Sequence, residues 1–349
     1  MLTDTQEYLF SLLRIALGNT PMVSLPDSID WKEMIDLSFD QGVAAILVDG
    51  LQKTEVNSLM ESEELEDLRY ELFGETLTCE DDYRKRSDAT KRLVALWAPE
   101  GISTVILKGS AISQYYPAPH HRYSCDLDLF IGEDWKRGCS ILERNGLDIN
   151  YEVYKDAQFH IDGIFVECHR FITPIRGNKT LQRFECYLRS LLKNNDVKDI
   201  EPMMPPLMFN ALFCIEHARG HLFHEGLSLK QVCDWMMIRR RPVDWEEFWK
   251  RCDEFGFSRF AKMFDRLADL VEGKVQYEDL SSVARRVVDE MFSPASGRKP
   301  AKSFFARRVR QFVGTLRNGW KFRAFNDVSM PVALCRQVWT HFFDKEVEM

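Results

Sequence analysis

The 349-residue chain has nine cysteines but no C-x-x-C pair, which excludes a zinc ribbon and a thioredoxin-type redox motif. It also lacks an H-E-x-x-H zinc-protease motif, any internal repeat and any low-complexity stretch. No window approaches the run of about 18 apolar residues that a membrane-crossing helix needs, so no membrane partner is expected. The N-terminus carries Asp4 and Glu7 where a secretory signal would be basic, and no apolar core with a cleavage site follows. Scattered cysteines in odd number fit reduced thiols, most of them small buried hydrophobes, and a cytoplasmic protein. Positive charge is in deficit: 46 Lys and Arg against 54 Asp and Glu leave a net charge of −8. That deficit counts against a dedicated phosphate-backbone binder, so nucleic acid remains an allowed but disfavoured partner.

What is present is an ordinary globular composition, 45% hydrophobic and 29% charged, on a length that suits two or three domains. Helical spacing dominates the first hundred residues: Tyr8 to Leu17, a run after Asp30, and a long charged run from Glu61 to about Leu96, ended by Pro99 and Gly101. The texture then turns β-like. Ile102 to Leu107 predicts a buried strand, Ser110 to Tyr116 a short helix, and Asp126 to Ile131 a second strand. A helix from Asp134 to Arg144 follows, stopped at Asn145-Gly146. Asp162-Gly163 between Gln158–Ile161 and Ile164–His169 predicts a hairpin. From Leu181 onward the chain reads as helical. Pro205-Pro206 open a helix that is apolar nearly all round, and Ser228 with Gln231 makes a capping box for another. The expected architecture is therefore α+β: a small mixed-sheet core at 99–175 between helical regions at 1–98 and 176–349.

Chemistry concentrates in Leu107-Lys108-Gly109-Ser110, in Asp126-Leu127-Asp128, and at Glu167. Residues two apart on a strand share a face, so Asp126 and Asp128 are expected on one side of the sheet, about 7 Å apart. Glu167, flanked by Val166 and Cys168, is expected to bring a third carboxylate to that side. Three converging carboxylates repel unless a cation sits among them, and hard divalent ions take oxygen ligands of this kind together with phosphates. Mg²⁺ is the expected metal, with Mn²⁺ an admissible substitute. Two such ions about 4 Å apart can clamp the attacking and leaving oxygens of a phosphoryl displacement. The glycine at the strand-to-helix junction allows close approach of a phosphate, the first-turn N–H groups favour an anion, and the Ser110 hydroxyl can add a donor. Lys108 can add charge beside a triphosphate, and Arg122, four residues before the acids, can reach the same rim.

A glycine-serine turn, Asp-x-Asp on the next strand and a later third acid resemble the nucleotidyltransferase superfamily that includes DNA polymerase beta. More specifically, LKGSAISQYYP, HHRYSCDLDLFI, VECHR and HARGHLFHEGLSLKQVCDWMMI resemble a group of uncharacterised nucleotidyltransferase family proteins, over roughly residues 20–240. The resemblance implies a minimal α/β transferase core with helical additions. It also implies Mg²⁺-dependent transfer of a nucleoside monophosphate from an NTP substrate to an acceptor that is a small molecule, a protein or RNA. Carried over by residue, Gly109 and Ser110 hold the triphosphate, Asp126 and Asp128 bind metal, and Glu167 is the third acid. The 15 residues between Ser110 and Asp126 are more than compact members have, and they carry Pro117, Pro119, His120, His121 and Arg122.

Plainer readings compete at several positions. His169 reads as a structural or supporting group rather than a base. His217, His221 and His224 share helical spacing, but Gly220 is expected to interrupt that helix, so packing is preferred to a metal site. Asp234 reads as an electrostatic contact of its helix's N-terminal half or an interhelix contact rather than a catalyst. The segment from Met291 to Asn326 holds nine Lys or Arg and no acid, interleaved with aromatics; a solvated face over core aromatics is preferred to a nucleic-acid surface. Two rivals to an enzyme remain: a nucleotide binder on an inactive core, and a partner-binding or antitoxin-like scaffold.

Overall fold

A computed structural model describes residues 1–18, 29–54, 63–151, 155–175, 178–193, 202–293 and 318–325. The N-terminal helices form where their caps predict. Thr3 and Gln6 make a reciprocal capping box for α1 (Asp4–Ala16), and the Asp30 carboxylate accepts from the Glu33 N–H to start α2 (Trp31–Asp40). After α3 (Ala44–Gln52) comes the long α4 (Glu66–Trp97), preceded by one 3-10 turn at Glu63–Leu65. It is closed by Pro99 in a second such turn and by Gly101 at φ 70°.

The central module follows the predicted order: β1 (Val105–Ile106), α5 (Lys108–Ser113), β2 (Asp126–Phe130), α6 (Trp135–Arg144), β3 (Asp156–Ile161) and β4 (Ile164–His169). The sheet order is β1-β2-β4-β3. The β2–β4 pair is parallel and the other two are antiparallel, so the sheet is mixed. Asp162 and Gly163, at φ 52° and 80°, make the tight turn of the β3–β4 hairpin. The predicted first strand shrinks to two paired residues because β1 is an edge strand and the chain turns into α5 directly after Leu107.

The C-terminal helices are α7 (Lys179–Lys193), α8 (Leu207–His224), α9 (Leu229–Arg239), α10 (Trp245–Glu254), α11 (Ser258–Val271) and α12 (Ser282–Met291). The Ser228–Gln231 capping box forms at the start of α9. Contrary to expectation, α8 runs through Gly220 unbroken. Glycine lowers helix propensity by only about 1 kcal/mol, and α8 is held by a buried face that includes Leu212, Ile215 and Leu222. Of the basic segment from Met291 to Asn326, only Met291–Ser293 and Asn318–Phe325 lie within the described residues. There, a short helix Gly319–Phe325 stacks Phe322 on Phe223 and sets Phe325 against Phe260. Lys321 is buried in it, bonded to the Leu222 carbonyl at 2.8 Å and to Glu290.

Two apolar cores divide the sheet's faces. Leu127, Leu129, Val166, Cys168, Ala157 and Phe159 form one core with α6 and the C-terminal half of α4. The alternate residues of the same strands face the other way, toward the larger helical core, and these carry the charges. No helix of the described residues is long and apolar enough to cross a membrane.

Candidate active site

Strand register places the acids. Asp128 pairs with Glu167 across the parallel β2–β4 ladder, and Phe130 pairs with His169. Paired residues share a face, so Asp126, Asp128, Glu167 and His169 all lie on the side opposite the sheet's apolar core. This side opens onto a cleft of about 1360 Å³ between the sheet and helices α2, α8 and α9. Asp126, Asp128, Glu167, Lys108, Gly109 and Arg122 all line that cleft. Ser110 is not among its lining residues; it sits one position further into α5, and its carbonyl accepts from Ser113 Oγ at 2.9 Å.

The Lys108 ammonium lies among the acids, 2.5 Å from Asp128 Oδ1 and 3.3 Å from Glu167 Oε2. Burial alone would lower its affinity for a proton, but the attraction of Asp128 and Glu167 outweighs this and holds it above the ordinary lysine range. Lys108 has φ 49°, a left-handed backbone that costs a residue with a Cβ about 1–2 kcal/mol. The strain sits at the junction that aims this side chain at the carboxylates, a common place for it at functional sites.

Asp128, 2% exposed, also accepts from His169 Nε2 at 2.7 Å. Since a carboxylate only accepts, the proton is on Nε2. Burial first, then Lys108 and Lys155, holds His169 well below its usual value, so it is neutral. Gln158 Nε2 donates to Glu167 Oε1 at 3.3 Å, which fixes the third acid from β3. Asp156, fully buried and paired with His169, has no hydrogen-bond donor at either oxygen and only Lys155 at 3.5 Å. Burial, then the charge of Glu167, pushes its carboxyl up to about 6.

Gly109 has a packing role that the sequence does not suggest. A Cβ there would lie 2.0 Å from Arg122 Nη1 and 2.8 Å from Ser124 Oγ. The guanidinium therefore packs directly on the turn. It is held by a two-point ion pair with Asp234 of α9, Nε to Oδ1 at 3.0 Å and Nη2 to Oδ2 at 2.5 Å. Tyr116 OH donates to Asp234 Oδ1 at 2.7 Å. Asp234 is thus an electrostatic contact of α9, made to the loop before β2 rather than to another helix.

Sequence reasoning missed Lys155 and Lys230, both of which line the cleft. Lys230 lies over the Tyr123 ring at 5.0 Å, and burial, then Arg122, lowers its pKa. Its place in the capping-box turn of α9 was the available signal. His217 and His221 also reach the cleft, with rings 4.5 Å apart, and His221 Nδ1 meets Glu225 at 3.0 Å. They belong to no three-donor cluster among the described residues, and the His224 side chain lies outside these.

The donor set fits a divalent cation. Asp128, Glu167 and His169 each bring a possible ligand atom to within 4.8 Å of one another; with Nε2 protonated, His169 supports Asp128 rather than offering a lone pair there, and Asp126 shares the strand face but stands outside this group. Mg²⁺ and Mn²⁺ are the hard divalent ions that carboxylate oxygens of this kind take. A family model described as an uncharacterised nucleotidyltransferase matches residues 27–271 of the chain. No curated protein and no solved structure matches it.

Proposed function

The chain belongs to this family of uncharacterised nucleotidyltransferases, and from that membership we propose that it transfers a nucleoside monophosphate from an NTP to an acceptor, with Mg²⁺ and release of pyrophosphate. The observation that carries the reading is the shared face of Asp126, Asp128 and Glu167, opening on a cleft beside the Gly109 turn. Asp126, Asp128 and Glu167 would hold the metal. Bound there, Mg²⁺ would neutralise phosphate charge and stabilise the attacking and leaving oxygens. Lys108 offsets the repulsion among the acids before the metal arrives, while Lys155 and Lys230 present positive charge to the triphosphate; Arg122 borders the same cleft, but its charge is paired with Asp234. Catalysis then rests on positioning and charge neutralisation rather than on a covalent enzyme intermediate. Of the two candidate proton acceptors, Glu167 is the better placed: its side chain is 17% exposed against 2% for Asp128.

One observation favours a second reading, nucleotide binding without turnover: Asp128 is already bonded to both Lys108 and His169. The test is direct. Titration of NTP by calorimetry, with and without Mg²⁺, compares the native chain with Asp126→Ala/Asp128→Ala. Loss of Mg²⁺-dependent binding in a folded variant supports the site, and unchanged affinity refutes it. Labelled pyrophosphate release across a panel of hydroxyl-bearing acceptors then separates transfer from binding alone.

A further inference from the structure

The stretch between Ser110 and Asp126 places a second set of metal-type ligands away from the cleft. Pro119–His121 is one 3-10 turn packed on α4, where Cys79 Sγ donates to the His120 carbonyl at 3.3 Å. His121 lies between two carboxylates: Nδ1 is 2.9 Å from Asp49 Oδ1 and Nε2 is 3.0 Å from Glu80 Oε1. A neutral imidazole has only one N–H. One of the two contacts therefore sets a lone pair against a carboxylate oxygen unless a further proton or a metal ion lies there. The His120 ring stands edge-on to His121 at 4.4 Å, and donor atoms of Glu80, His120 and His121 lie within 4.8 Å of one another.

We propose that Glu80, His120 and His121 form a zinc site, separate from the carboxylates of the cleft, with Asp49 orienting His121. Two imidazoles and one carboxylate are a known three-ligand set for Zn²⁺, with water in the fourth position. Glu80 is 43% exposed, so water reaches that position. Ligand bonds of about 2.0–2.2 Å in a tetrahedron put donor atoms roughly 3.3–3.6 Å apart. The observed 3.0 Å between His121 Nε2 and Glu80 Oε1 needs to open by only a few tenths of an ångström. Donation from Nδ1–H to Asp49 leaves the Nε2 lone pair for the metal and makes it more basic. A zinc ion here ties the turn to α3 and α4 immediately before Arg122, the residue packed on Gly109. It therefore fixes how the chain enters β2.

The test uses the full chain stripped of metal by a chelator, with Zn²⁺ alone titrated against a competing fluorescent chelator. One equivalent is expected to bind, and to raise the thermal midpoint, in Asp126→Ala/Asp128→Ala, where the cleft carboxylates no longer compete for the ion. In that background, Asp49→Asn weakens this binding roughly 10–100-fold, and Glu80→Gln, a change at a half-exposed position on a long helix, weakens it by more. The proposal is overturned if no equivalent binds to the cleft variant, or if tight binding survives Glu80→Gln and His120→Gln in it.

Discussion

Replacing Lys108 with methionine removes a charge from the centre of the acidic face while keeping most of the stem's volume. Methionine also has a Cβ, so the left-handed backbone at position 108 stays as strained as before, and the change reports the ammonium alone. Asp128, 2% exposed, loses the closer of its two partners, the one at 2.5 Å. Breaking a buried ion pair by deleting one partner costs about 3–5 kcal/mol. The partial exposure of Glu167 allows some solvent screening, so the lower end, about 3 kcal/mol, is expected. For a chain of this length that is a fall of about 4 °C in thermal midpoint. Mg²⁺ should return more stability to the variant than to the native protein, because the ion replaces the missing positive charge. Thermal denaturation with and without millimolar MgCl₂ measures both effects. A variant within about 0.5 kcal/mol of native stability, or equal gains from Mg²⁺ in both proteins, would refute the assignment of Lys108 as the charge partner of a metal-binding face.

Three further outcomes follow from the same geometry. Gly109→Ala drives a Cβ into Arg122 Nη1, so it should destabilise the fold by about 1–3 kcal/mol and weaken NTP binding, read by urea denaturation and calorimetry; native values for both would show the turn to be slack. Asp234→Ala strands the buried Arg122 guanidinium at a cost of about 3–5 kcal/mol, and a double-mutant cycle with Arg122→Met should recover much of that loss; additive losses would deny the coupling. Asp156 has a folded-state pKa near 6, against 3.8 when free, so the native state holds its proton more tightly than the unfolded chain does. The sign is therefore a loss of stability as pH rises from about 4 to above 6 in metal-free protein, amounting to up to about 3 kcal/mol, with no further change from this group above that window. Asp156→Asn should flatten that slope and be the more stable protein at pH 7; an unaltered slope in chemical denaturation from pH 4 to 7 would contradict it.

The face that carries the acids was legible in the sequence because strand alternation is a covalent consequence of the pleat. Once Asp126 to Ile131 and Ile164 to His169 are strands, Asp126 and Asp128 share a side, and the hairpin turn at Asp162-Gly163 fixes which way Glu167 faces. Caps were legible for the same local reason, as at Thr3, Asp30 and Ser228. What was not legible depends on distant parts of the chain. The Arg122–Asp234 pair spans 112 residues, and it turns an expected free phosphate contact into an arginine held from two sides. The start of α5 at Lys108 rather than at Ser110 follows from the left-handed turn there, which aims Lys108 at the acids instead of at solvent. Likewise, no local pattern marks Asp156 as a buried carboxylate, because its burial comes from pairing with His169 at the sheet edge and not from its neighbours.

The most direct measurement is a crystal structure with Mn²⁺ and a non-hydrolysable NTP, located by the anomalous signal of the metal. An anomalous peak is expected at Asp126, Asp128 and Glu167, with the triphosphate running past the Gly109 turn toward Lys230. A nucleotide bound elsewhere, or Mn²⁺ absent from those carboxylates while Lys108 keeps its contact with Asp128, would contradict it.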